Sequence, residues 1–138
     1  MAGGQISQLI RMIEQLPEEQ GQQLLKSLFI KDPITAIRIL QRHFSFDDLV
    51  YASDEGLASL LDALGEDTVA ASLVGASDQM VRRFADQLGT AKARTFIEDV
   101  HEAKHTPQVV EASRRAVLTK AMYLHRAGTL SIARPGID

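Results

Sequence analysis

The chain has no cysteine and no tryptophan among its 138 residues. Without cysteine there is no disulfide framework and no thiolate metal site, so a reducing compartment is allowed. Aromatic residues make up only 5%. The pairs Arg82-Arg83 and Arg114-Arg115 therefore stand without the aromatic company expected of a nucleic-acid surface. No apolar run reaches the roughly 20 residues that span a bilayer. The opening Met1-Ala2-Gly3-Gly4-Gln5 lacks the charged start and apolar run of a signal peptide. A net charge of −3 points to neither nucleic acid nor membrane insertion. The most informative absence is local: residues 44–78 contain no lysine or arginine, yet carry eight acidic residues. Residues 1–43 carry five basic and four acidic side chains, and residues 79–126 nine and five. With 45% hydrophobic and 24% charged residues the chain is otherwise an ordinary globular one. The segregation of charge fits either solvated helix faces or a polarised module that presents charge to a partner.

Helical periodicity recurs along the whole chain, and no stretch alternates for long as a strand would. Ile6, Leu9, Ile10 and Ile13 follow i, i+3, i+4, i+7 spacing. Pro17 is expected at the first position of a second helix, with Leu24, Leu25, Leu28 and Phe29 as its buried stripe. Asp32-Pro33 starts a third, whose face is expected to be Ile34, Ile37 and Leu40. Further on, Ser53, Ser77, Thr90 and Thr106-Pro107 read as helix starts, and Gly65, Gly75, Gly89 and Gly128 as stops. The helix from Ser77 is expected to run to Leu88, and Thr129–Ile132 to be extended. The fold class is all-α: short Pro-punctuated helix pairs suggest an armadillo-like right-handed superhelix.

Two motifs invite chemistry. His101-Glu102-Ala103-Lys104-His105 has the H-E-x-x-H form in which two histidines on one helix face hold zinc and the glutamate acts as base. Asp99 and Lys104 place charge where such helices are apolar, and Thr106-Pro107 ends the helix at once. A solvated helix end fits better, so no metal and no catalytic residue is expected. Glu98 and Asp99 are adjacent and so diverge by about 100° around a helix. Phe96 and Val100 take the inward stripe, leaving Glu98 outward with Arg94 as an intrahelical partner.

The order of several motifs carries a resemblance. Phe44-Ser45-Phe46-Asp47-Asp48-Leu49 is followed by Leu57, Leu60 and Leu61, then by Leu73-Val74-Gly75-Ala76-Ser77-Asp78. Met80-Val81-Arg82-Arg83-Phe84 and Ala127-Gly128-Thr129-Leu130-Ser131-Ile132 continue the pattern. Together they resemble the C-terminal region of the FliG family of flagellar motor switch proteins. The resemblance implies an armadillo-like unit over residues 1–43, a hinge at His43, Phe44, Ser45 and Phe46, a six-helix domain over 47–132, and a tail over 133–138. It implies a motor-switch module without an active site or cofactor, cytoplasmic and peripheral to the inner membrane at the flagellar basal body. The implied partners are the cytoplasmic loop of the stator and other switch-complex proteins. Glu98, Asp99, Lys92, Arg94 and Lys104 are the implied stator-facing charges; three of the family's basic positions fall instead on Val74, Ala91 and Pro107 or its neighbour Gln108. With no partner unit to cover it, the face formed by Leu24, Leu25, Leu28, Ile37 and Leu40 is expected to self-associate. The alternative is a helical regulatory domain resembling the N-terminal domain of the MgtE magnesium transporter, which would sense a divalent cation through carboxylates in 44–78.

Overall fold

The computed structural model describes residues 3–41, 45–102 and 104–133. The chain divides into two compact units, residues 1–45 and 46–138. In the first, α1 (Gly3–Gln15), α2 (Glu18–Lys31) and α3 (Pro33–Gln41) pack on one another. Pro17 stands one residue earlier than expected: its φ of −54° and ψ of 150° make it the extended residue before α2 rather than the first helical one. Asp32 caps α3 as expected. Its carboxylate accepts the Thr35 amide at 3.3 Å and the Thr35 hydroxyl at 2.7 Å.

Packing against α1 and α2 fixes the rotation of α3 in a way the apolar pattern did not. Among the α3 residues whose side chains are described, Thr35, Ala36 and Ile39 are buried, while Ile34 is 64% and Ile37 36% exposed. The expected inward face is thus corrected at Ile34 and Ile37. Apolar residues surround this short helix, so spacing alone does not set its phase.

The second unit begins with a 3₁₀ turn, Phe46–Tyr51, followed by α4 (Asp54–Leu64), α5 (Glu66–Ser72), α6 (Asp78–Ala85), α7 (Thr90–Glu102) and α8 (Pro107–Arg126). Ser53, Ser77 and Thr106 accept the amides of Gly56, Met80 and Val109 through their hydroxyls, each at 3.2 Å. These caps satisfy amides that a helix start otherwise leaves unpaired. Helix α6 stops at Ala85, short of Leu88. Gly128, with φ of +83°, closes α8 and lets the Thr129 and Leu130 amides return to the Leu124 carbonyl.

Helix α8 packs on α4 and α5, and α7 packs on α5 and α6. Leu57, Leu60, Val69, Phe84, Phe96 and Val117 fill the interior between them. Beyond α8 the chain is extended, pairing Ile132 with Ala52 in a single bridge and receiving the Ser53 amide on the Ser131 carbonyl at 2.8 Å. Among the described residues this is the only β pairing, so the fold is all-α.

Candidate protein-interaction site

Helix α7 owes its orientation to Phe96 and Val100, which are 2% and 5% exposed. Their i, i+4 spacing turns one stripe inward and leaves the opposite one to solvent. Ala91, Arg94 and Glu98 share that outer stripe and are exposed; Asp99 lies at its flank, half-buried. Lys92, on the same flank, reaches Glu66 of α5 at 4.0 Å, with the two side chains 73% and 41% exposed. A contact so open to water contributes little to stability. Arg94 forms no ion pair with Glu98, contrary to expectation. Holding two long exposed side chains in one geometry costs more entropy than the screened attraction returns. Lys104 is exposed just past the end of α7.

The histidine motif does not form a shared helical face. His101 and Glu102 complete α7, whereas His105 lies outside it. The His105 Nε2 sits 3.3 Å from the Asp99 carbonyl. Among the described residues no group of three or more His, Asp or Glu is placed to hold a metal. The acidic stretch does not converge either. Asp54 is taken by Arg83 at 2.9 Å and by Gln87 at 3.1 Å, and Glu66 faces Lys92. A hard cation needs several oxygens on one point.

Two of the three positions without the implied basic residue meet in space. Val74 and Pro107 line one open groove with His105, Val110, Glu111 and Arg114. The arginine pairs of the sequence divide: Arg82 is exposed and Arg115 lies 3.7 Å from Glu111 one turn earlier on α8, while Arg83 and Arg114 reach carbonyls of other segments. Arg83 donates to the Val50 carbonyl at 2.7 Å, the Ala52 carbonyl at 2.6 Å and Asp54 at 2.9 Å. Arg114 donates to the Ser72 carbonyl at 2.9 Å and the Val74 carbonyl at 2.7 Å, with its guanidinium 5.0 Å from the centre of the Phe46 ring. No local signal marks these roles, because each arginine meets carbonyls more than 30 residues away in sequence.

Of the hinge residues, His43 and Phe44 lie outside the described residues; Ser45 is exposed and Phe46 half-buried. Of the expected self-association face, Leu25 is only 1% exposed and offers no surface to a partner. It sits where α1, α2 and α3 close on one another, and its burial there removes apolar area from water. Leu24 and Leu28 are half-buried, and the side chain of Leu40 lies outside the described residues. Ile37, a member of the expected face, is 36% exposed, and Met12, Ile30 and Ile34, outside it, are 50%, 79% and 64% exposed.

These features define an all-α, armadillo-like helical module that carries its charges on its surface. The model of the FliG C-terminal domain matches residues 26–132, and the chain belongs to that family. The flagellar motor switch protein FliG of Aquifex aeolicus (strain VF5) is 26% identical over 89 residues, 64% of this chain and 27% of that protein. The flagellar motor switch protein FliG of Bacillus subtilis (strain 168) is 24% identical over 136 residues, 98% of this chain and 40% of that protein. The chain thus spans well under half the length of these relatives. Full-length FliG from Aquifex aeolicus shares the fold with a TM-score of 0.60 at 22% identity, over 93% of this chain and 40% of that one. FliG residues 86–343 from H. pylori give a TM-score of 0.60 at 16% identity, over 95% of this chain and 62% of that one. Among the described residues no helix is long and apolar enough to cross a membrane.

Proposed function

We propose that the chain works as the C-terminal module of a flagellar motor switch, meeting the stator's cytoplasmic loop through the outer stripe of α7, at the cytoplasmic side of the inner membrane. The observation that carries this reading is the division of labour on α7. Phe96 and Val100 hold the helix, while Arg94 and Glu98 are exposed and do not pair with each other. Charges that do not stabilise the fold are free to be made and broken against a moving partner. Glu98 and Asp99 would attract a basic loop, with Lys92, Arg94 and Lys104 setting its register. With Val74, Ala91 and Pro107 uncharged, the contact rests on fewer ion pairs than the family pattern implies. Glu98→Lys with Asp99→Lys should leave thermal stability within about 0.5 kcal/mol of the parent and abolish binding to a basic stator-loop peptide. Unfolding of the double variant, or full binding by a folded one, would sink the assignment.

A second surface completes the reading. Ile30, Ile34 and Ile37 are exposed apolar side chains of the first unit. Covering such a surface gains about 25 cal/mol per Å², and we place self-association there. Ile34→Asp should reduce any concentration-dependent mass in light scattering; a strictly monomeric parent at high concentration would refute it.

A further inference from the structure

A single guanidinium ties together three parts of the second unit. Arg114 projects from α8, and its Nε and Nη2 donate to the carbonyls of Ser72 and Val74 at 2.9 and 2.7 Å. These carbonyls lie at the C-terminal end of α5, where helical partners run out. Arg114 therefore caps α5 from another helix, with charge-assisted bonds in a planar fork. The Val74 carbonyl leads into Gly75, whose φ of +83° reverses the chain, and the Ala76 amide closes the turn on the Leu73 carbonyl at 2.9 Å. The same guanidinium lies over the ring of Phe46 at 5.0 Å, the first residue of the second unit. Arg114 and Val74 also line the open groove with Pro107 and Val110.

We propose that Arg114 is a positioning residue that couples the seat of Phe46, at the boundary between the units, to the shape of the groove wall at Val74. Displacing the ring from the guanidinium frees the fork to swing, and the fork is what holds the Val74 turn. Conversely, anything that moves the Val74 carbonyl shifts the cation over which Phe46 rests. The coupling is physical and local: both ends share one planar group with two fixed bonds. It goes beyond the stator reading and stands on contacts within the second unit alone, so it survives that reading's failure.

The test is hydrogen exchange on the full chain, read at the Ala76 amide as probe of the turn and at the Leu57 amide of α4 as reference. Phe46→Leu keeps an apolar side chain but removes the ring. It should speed exchange at Ala76 by roughly two- to five-fold, the weight of one cation–aromatic contact, and leave Leu57 unchanged. Arg114→Lys keeps the charge but loses the fork and should speed Ala76 at least as much. In the Arg114→Lys background Phe46→Leu should then add nothing, since the link is already cut. Ala76 unmoved by Phe46→Leu, equal effects in both backgrounds, or a parallel change at Leu57 would each overturn the proposal. Should Arg114→Lys fail to fold, the Ala76-to-Leu57 comparison in Phe46→Leu decides alone.

Discussion

Gly56→Ala places a single methyl group where the extended C-terminal segment crosses α4. A Cβ at this position would lie 2.6 Å from the Leu130 Cγ, 2.7 Å from its Cβ and 2.9 Å from its Cα. The side chain could turn aside, but the backbone atom could not without moving the segment. That segment is held by the Ser53 amide on the Ser131 carbonyl at 2.8 Å and by the Ala133 amide on the Tyr51 carbonyl at 3.1 Å. Leu130 is itself only 1% exposed. Two responses are open. If the segment stays, overpacking costs about 1–3 kcal/mol. If it lifts away, burial of one leucine, about 1.5–3 kcal/mol, is lost. Against either stands the better helix propensity of alanine, at most about 1 kcal/mol. The net expectation is a loss of about 1–2 kcal/mol in urea unfolding, seen as a lower midpoint at unchanged slope. Gly89→Ala is the control for the clash, because nothing lies within 4 Å of its would-be Cβ; standing just before α7, it should lose only the preference for glycine over alanine at a helix start, under about 1 kcal/mol. A Gly56→Ala protein as stable as its parent would show that the segment yields at no cost and refute the reasoning.

Two further expectations concern single side chains. Arg83→Met removes three hydrogen bonds to the Val50–Asp54 segment and should cost about 2–3 kcal/mol, whereas exposed Arg82→Met should stay within about 0.5 kcal/mol; equal effects in unfolding experiments would contradict the separation of the pair. The hydrogen bonds from Thr35 hold the Asp32 carboxyl below its ordinary value near 3.8. A depressed carboxylate stabilises fully above its unfolded pKa and loses that contribution as pH falls through the folded one, so stability should decline below about pH 4 and less so in Asp32→Asn, which keeps the cap acceptor. An Asp32 titration midpoint above the ordinary value, by carboxyl carbon NMR shift, would contradict this.

The sequence by itself determined the all-α class, the family and three of the four expected hydroxyl caps; Pro17 precedes α2 instead of opening it, and Thr90, expected as a cap, is already the first residue of α7. Ser53, Ser77 and Thr106 cap through bonds three residues long, so the information is local and complete in the string. The inward turn of Phe96 and Val100 on α7 was equally legible, because the charged neighbours on that helix leave one apolar stripe. On α3 the same reasoning fails: Ile34, Ile37 and Ile39 are apolar on several sides, and only packing against α1 and α2 decides that Ile39 is buried and Ile34 exposed. Leu25 likewise left the expected association surface for the interior. The groove that joins Val74 to Pro107 exists only once α5 and α8 are side by side. The arginines show the reason most plainly. In sequence Arg82 and Arg83 are equivalent, as are Arg114 and Arg115. A guanidinium becomes structural only when a helix end or turn from elsewhere in the chain brings unpaired carbonyls within reach of its fork, and that meeting is decided by how the helices pack.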